Sequence, residues 1–550
     1  MSVSQVARLE KYNLIVKWDL LGPDHFKYLN MMKNFYGRRW NKDEECWYAP
    51  VSVLNVMALK SHNFNLSPNI ERWYDEATEE PETKSVDIID GLKLELYPFQ
   101  KEGVAFIESR RGRCLIGDEM GLGKTPQSLA WLQLHPKVSP VIIVTPSVAK
   151  YNWKNEAKKW MRRPKIEVID GNARGNVKLP TARLIAINYD VLHSWTYHLK
   201  KLNPQCVILD EIHYIKNNEA QRTRAVKNLC YNVKHIIGLS GTPILNRPIE
   251  LYNAAILIDP GLFPSRAIFA KRYAERFHNG FRWDDTGADN LQELHEILTK
   301  TIMIRRLKKD VLKDLPPKIR QVIPMKLENR PEYRRAETDF IRWLKEIDPV
   351  KAARARRAEA LVKIAYLKQL AIDGKIDESI RWIDEYLHIT QGKLVVFAVH
   401  QKTIKKRKEH YGDVAVVIDG KVSAKNKFKR AEQFQEDDDI KVLIGNIKAA
   451  GVALTLTAAS ATCFLELGWT PGEHDQAEDR VHRIGQKSDT VNAYYLLTEN
   501  TIERRMADLI DNKRSILAQV LDGEKISRKK WKRIMLSALL EDYVEEREAA

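Results

Sequence analysis

The chain has 550 residues, 44% of them hydrophobic and 30% charged, and carries a formal net charge of +17. At roughly 150 residues per domain, this length implies three or four domains, each able to bury a core without disulfide staples. The basic excess favours a polyanionic partner, nucleic acid first, with general solubility as the competing explanation. The five cysteines form no CxxC pair and precede no histidine cluster at zinc spacing, so they read as inert thiols in a reducing compartment. Residues 1–11 lack a signal-peptide core. Apolar runs such as Val141–Val144 are far too short to span a bilayer, so no membrane role is expected.

The first segment, residues 12–66, places Trp18, Phe35, Tyr36, Trp40, Trp47, Tyr48 and Phe64 among Lys33, Arg38, Arg39 and Lys42. Such a mixture suits stacking on bases and holding phosphates, and equally a small core with a basic rim. An acidic stretch around Glu79-Glu80-Pro81-Glu82 reads as the linker that closes a domain at 1–85. Buried strands are then predicted at Cys114–Ile116, Val141–Val144, Leu184–Ile187, Cys206–Leu209 and Ile236–Leu239, alternating with amphipathic helices across 86–258. Residues 259–318 turn charged and helical, a pattern that resumes in 319–392 after Pro316-Pro317 and contains the helix-forming run Ala352–Leu370. A second strand set follows within 393–500, at Leu394–Val399, Val414–Ile418, Lys441–Ile444, Ala461–Leu465 and Asn492–Leu497. The final stretch, 501–550, reads as helices bracing the rest. Asn500 and Glu503 are placed for a capping box, and Ile502, Met506, Leu509 and Ile510 share a face. The fold class is α/β: two lobes of parallel sheet flanked by helices, with helical insertions and a small α+β domain in front.

Four motifs carry chemistry. Gly121-Leu122-Gly123-Lys124-Thr125 follows a strand and opens a helix, so its backbone amides can surround phosphate oxygens, with Lys124 neutralising them and Thr125 holding Mg²⁺. The usual pattern has a glycine where Asp118 stands. Asp210-Glu211-Ile212-His213 ends a buried strand. Asp210 suits a bound Mg²⁺, and Glu211 suits orienting and deprotonating an attacking water. Ser240, Gly241 and Thr242 are candidates for sensing the γ-phosphate, although as a lone tetrapeptide Ser240–Pro243 reads first as a turn. Arg480 and Arg483 share one helix face and can stabilise charge on a transferring phosphoryl group, if the second set of strands faces the first.

In this order the motifs resemble those of SWI/SNF-like ATPases of helicase superfamily 2, over roughly residues 92–520. Asp-Glu-Met-Gly-Leu-Gly-Lys-Thr is similar to that class's own phosphate loop, which accounts for Asp118. The resemblance implies two RecA-like lobes with ATP and Mg²⁺ between them, and it extends the candidate residues. Gln100 in Tyr97-Pro98-Phe99-Gln100 would read adenine, and Gly451 and Gln476 would join the ATP site. Thr145, Ser147, Asn188 and Tyr189 would touch DNA, and Arg305-Arg306 resembles the junction between lobes. Ile212, Ala453, Thr455 and Thr470 depart from the family pattern without removing a catalytic group. Residues 36–50 resemble the HARP-type substrate domain of annealing helicases, which implies DNA contacts at Arg38, Arg39, Trp40 and Trp47.

The function expected is a DNA-dependent ATPase that translocates on double-stranded DNA and remodels or reanneals forks in repair or replication. Displacing proteins or RNA polymerase from DNA, strand separation, and a DNA-binding scaffold with an inactive ATPase fold are the alternatives. The implied partners are double-stranded or forked DNA and single-strand-binding or replication proteins, around a monomer. The implied setting is the cytoplasm of a prokaryote or virus-infected cell, or the nucleus of a eukaryote.

Overall fold

Every apolar run singled out above forms a strand, to within a residue or two, because continuous Val, Ile and Leu segments can bury both faces of a parallel sheet. The computed structural model describes residues 5–10, 13–35, 37–78, 89–175, 177–263, 265–278, 283–285, 287–345, 355–451 and 454–523. Tyr36, the acidic linker around Glu79–Glu82, Ala352, Val452, Ala453 and residues 524–550 of the expected bracing segment lie outside them.

The first lobe is a seven-stranded parallel sheet in the order Met303–Ile304, Arg113–Ile116, His235–Leu239, Cys206–Asp210, Val141–Thr145, Leu184–Asn188 and Ile166–Val168. The stretch expected to be a purely helical insertion therefore supplies an edge strand. From there it runs on beside the phosphate loop, with Gly117 and Glu119 N–H donating to the Ile304 and Arg306 carbonyls. The second lobe is a six-stranded parallel sheet ordered Lys318–Met325, Val491–Thr498, Ala459–Phe464, Lys393–Ala398, Val442–Asn446 and Ala415–Ile418. In both lobes the loops at the carboxyl ends of the central strands carry the polar motifs, the usual place for a ligand on an open α/β sheet.

In front of these lies a five-stranded, mostly antiparallel sheet, with the helices His25–Lys33, Val53–Ser61 and Pro68–Thr78 around a core of Leu14, Val16, Trp18, Met32, Phe35 and Leu59. This domain leans on the first lobe. Val53 and Leu54 join that lobe's core, and Lys271 Nζ donates to Asn34 Oδ1 at 3.2 Å.

The helix Ile502–Asp522 crosses both lobes. Ile502, Met506 and Ile510 pack into the second, while Ile516, Leu517, Val520 and Leu521 pack into the first. Its cap differs from the expected one: Thr501 accepts the Glu503 N–H at 3.2 Å, while Asn500 sits at a positive φ one residue earlier. The Glu503 carboxylate is instead taken by buried Lys375 and by Thr498. Leu509 is only partly buried on this face. Among the described residues no helix is long and apolar enough to cross a membrane.

Candidate active site at the seam between the lobes

The phosphate loop turns on two glycines in left-handed conformation, Gly121 at φ +88° and Gly123 at φ +77°, and Gly123 caps the helix Lys124–Leu134. Both need glycine twice over. A Cβ on Gly121 would lie 2.9 Å from Arg483 Cβ, and one on Gly123 would lie 2.3 Å from Gln100 Nε2. Lys124 Nζ donates to the Asp118 and Glu119 carbonyls at 2.8 and 3.2 Å. Burial lowers its pKa against the pull of Glu211, Asp118 and Asp210.

Asp118 is wholly buried and answers the Arg306 guanidinium, whose Nε lies 2.9 Å from Oδ1, while Gln127 Nε2 donates to Oδ2 at 3.0 Å. The residue that breaks the usual glycine pattern thus anchors the segment leading to the second lobe. Gln100 supports the loop from behind: its Oε1 accepts the Tyr97 N–H and its Nε2 donates to the Leu122 carbonyl, both at 3.1 Å. One bond at each end fixes the amide and leaves it a second N–H and a second lone pair for a base.

The acids sit at the end of the strand Cys206–Asp210. Thr145 Oγ1 and Trp153 Nε1 both donate to Asp210 Oδ2, at 2.7 and 2.8 Å, which leaves Oδ1 for a cation. Tyr189 OH donates to the Asp210 carbonyl at 2.9 Å. Burial and the charge of Glu211 raise the Asp210 pKa. Burial would raise Glu211 as well, but its contact with His213, helped by Lys124 and Arg480, outweighs that and holds it well below its usual range. A carboxylate so firmly ionised is better fitted to orient water than to keep its proton.

Glu211 also begins a chain of hydrogen bonds. Ser240 Oγ donates to Glu211 Oε2 at 3.1 Å, Thr242 N–H donates to Ser240 Oγ at 3.2 Å, and Gln476 Nε2 of the second lobe donates to Thr242 Oγ1 at 3.0 Å. Gly241 packs on Met120, where a Cβ would come within 2.2 Å of its Cγ. A γ-phosphate beside Glu211 would therefore have a direct route to the facing lobe.

From that lobe Arg480 reaches Met120 Sδ at 3.9 Å and donates to the Gln476 carbonyl, while Arg483 donates to the Leu454 carbonyl at 3.0 Å and Thr455 Oγ1 at 2.9 Å. Neither enters an ion pair among the described residues, and burial lowers both pKa values, that of Arg483 to about 10. Two guanidiniums, Arg480 buried and Arg483 half-buried, that face a phosphate loop without a carboxylate partner make an anion site. Gly451 ends the short helix Ile447–Ala450, which Asn446 caps. Wholly buried His474 accepts the Gly468 N–H at 3.0 Å. Through it the strand end is tied to the helix Pro471–Glu478 that carries Gln476.

The expected DNA contacts divide. Thr145 and Tyr189 face inward onto Asp210, and Asn188 accepts from buried Lys150 at 3.0 Å, so these three hold the site rather than line a surface. Thr145 and Asn188 end strands at the site and Tyr189 opens the helix that follows, where inward-facing groups were needed. Ser147 is half-buried, whereas Arg38, Arg39 and Trp40 are exposed, with Trp40 tilted against partly buried Trp47 at 5.3 Å between ring centroids. Trp153 was missed altogether, since nothing in its local pattern separates it from a core aromatic. The contacts of Arg305 and Arg306 with the phosphate loop of the first lobe were likewise unforeseen beyond their place at a junction.

The SNF2-related domain family matches residues 99–369, and the helicase conserved C-terminal domain family matches residues 376–485. The chain is 36% identical over 453 residues to the Homo sapiens protein named DNA annealing helicase and endonuclease ZRANB3, covering 79% of this chain and 41% of that one. It is 32% identical over 514 residues to the Caenorhabditis elegans homolog of SWI/SNF-related matrix-associated actin-dependent regulator of chromatin subfamily A-like protein 1, covering 90% of this chain and 74% of that one. A solved Sulfolobus solfataricus SWI2/SNF2 ATPase core in complex with dsDNA matches 79% of this chain and 95% of its own, at 24% identity and a TM-score of 0.39. The chain spans about two fifths of the length of the ZRANB3 relative.

Proposed function

The chain belongs to the SWI/SNF-like family of superfamily 2 helicases, and from that membership we propose that it is a DNA-dependent ATPase that translocates on double-stranded DNA and remodels or reanneals forks. The observation that carries this reading is the placing of Arg480, buried, and Arg483, half-buried, against the loop that bears Lys124, neither with a carboxylate partner. ATP would lie in the seam with its phosphates on Gly121, Gly123 and Lys124, and with Gly451 and Gln476 closing it from the other lobe. Mg²⁺ fits Thr125 and the free oxygen of Asp210. An ion of this kind takes most of its ligands from phosphate and water. Bound there, the ion would neutralise phosphate charge.

Glu211 orients the attacking water, and Arg480 and Arg483 stabilise the charge that builds on the transferred group. The chain from Glu211 through Ser240 and Thr242 to Gln476 reports loss of that group to the second lobe, so hydrolysis changes how the lobes fit. DNA would be gripped by its phosphates, with little regard for sequence. Exposed Arg38, Arg39 and Trp40, with Trp47 against Trp40, offer the aromatic and basic groups that a fork's unpaired bases and phosphates require. The ZRANB3 relative's printed name, an annealing helicase, agrees with this substrate. A monomer would suffice, acting wherever its DNA lies: the nucleus of a eukaryote or the cytoplasm of a prokaryote.

Phosphate release measured on forked and plain duplex DNA tests the proposal. The expected outcome is stronger stimulation by forks, reduced about threefold or more toward the duplex level by Arg38→Ala with Trp40→Ala. Lys124→Ala should abolish turnover while leaving DNA binding. Equal stimulation by both DNAs, unchanged in the double variant, would favour displacement of proteins from duplex DNA. Full turnover by Lys124→Ala would refute the assignment of the phosphate site.

A further inference from the structure

Lys308 begins the short helix Lys308–Val311 on the segment that leads from the first lobe to the second, and it is almost wholly buried. Its backbone N–H donates to Glu119 Oε2 of the phosphate loop at 2.7 Å. Its Nζ donates to the carbonyl of His482 at 2.5 Å, lies 3.0 Å from Asp479 Oδ1, and is 3.9 Å from Glu119 Oε1. One residue therefore grips the acid at the mouth of the phosphate loop and the backbone between Arg480 and Arg483.

Both ends of this connection are held firmly. On the first-lobe side the preceding residues run alongside the loop: Arg305 Nη1 donates to the Gly117 and Gly241 carbonyls at 2.7 and 3.1 Å, and Arg306 pairs with Asp118. On the second-lobe side Asp479 is shared with Lys318 at 2.9 Å, and the His482 ring lies 2.8 Å from the Pro316 carbonyl. There is no slack between them. A Cβ added at Gly121 would come 3.3 Å from Lys308 Cε and 2.9 Å from Arg483 Cβ.

Burying an ammonium is costly, and here it pushes the lysine's pKa down to about 8 despite Asp479. An apolar side chain of the same length would fill the space without that cost. What it could not do is hold a carbonyl of one lobe and a carboxylate of the other at fixed distances.

We infer that Lys308 is a positioning residue that sets the distance of Arg480 and Arg483 from the phosphate loop and acts on turnover only through them. This rests on the reading of the seam as the ATP-hydrolysing site. A transition state is sensitive to misplacement of about 1 Å, whereas nucleotide bound mainly by the first lobe is not. Loss of Lys308 therefore lowers kcat and leaves the KM for MgATP nearly alone.

The test is DNA-stimulated phosphate release by the full chain in a double-mutant cycle. Lys308→Met should lower kcat about 10- to 100-fold, with KM moved less than about threefold. In an Arg483→Ala background the same change should cost clearly less than in the wild type, because one of the two guanidiniums through which it acts is gone. Lys308→Arg should recover most of the loss. Should Lys308→Met not fold, Glu119→Ala removes the acceptor of the Lys308 N–H and with it the first-lobe anchor, and should show the same dependence on Arg483, with a smaller effect. An equal loss in both backgrounds, or a raised KM with kcat intact, would overturn the inference. If Lys124→Ala and Arg483→Ala turn over like the wild type, the reading of the seam as the hydrolysing site has failed. If they are impaired and Lys308→Met is not, only the positioning role has failed.

Discussion

The two sides of the seam are built in opposite ways. In the first lobe the reactive acids are pinned: Asp210 by Thr145 and Trp153, Glu211 by Ser240 and His213. In the second lobe Lys318 and Arg320 are matched by Glu478 and its neighbours, yet Arg480 and Arg483 are left with carbonyls, a hydroxyl and a thioether. The difference follows from what each side must bind. A carboxylate that is to hold a cation needs a fixed orientation, and its ring of donors supplies it. A guanidinium that is to meet a transient phosphoryl charge must keep its own charge uncompensated until then.

That contrast can be broken from either side. The largest effect expected is on the second lobe's own stability. His474 is wholly buried, and burial pushes its pKa down to about 4. Because the folded value lies below the unfolded one, the unfolded chain takes up the proton first as pH falls. Stability should therefore be lost between about pH 6.5 and 4, by about 3 kcal/mol in all. Thermal melts across that range should show it, and His474→Gln should flatten the dependence. A melt as steep in acid for His474→Gln as for the wild type would assign the sensitivity elsewhere.

A smaller effect is expected from unpinning the acids. Trp153→Phe keeps the ring and removes the one N–H given to Asp210, so turnover should fall about tenfold and the Mg²⁺ needed for half-maximal rate should rise. An unchanged Mg²⁺ requirement would mean that Thr145 alone fixes the carboxylate. The smallest effect should come from Gln476→Ala, which cuts the bond to Thr242 across the seam. The loss should be about threefold in DNA-stimulated turnover, with little change in its absence.

What could be seen in the residues and what could not divides along the same seam. The strands were legible because Val141–Val144 or Cys206–Leu209 cannot be solvated on either face, and the motifs because loops at strand ends keep their local spacing. The contacts that make the site were not. Trp153 meets Asp210 across 57 positions, and Arg306 meets Asp118 across 188, distances over which no periodicity speaks. The same blindness put Thr145, Asn188 and Tyr189 on a DNA surface. The resemblance alone placed them there, and only the structure shows that they turn inward to Asp210 and Lys150.

The most direct test of the shared seam is single-turnover hydrolysis by Arg480→Ala and Arg483→Ala, with nucleotide binding followed separately on the same samples. Guanidiniums that act only on the transferring phosphoryl group should leave binding within about threefold of the wild type while the chemical step slows about 100-fold or more. Wild-type chemistry in both variants would mean that the second lobe takes no part in hydrolysis, and the account would be wrong at its centre.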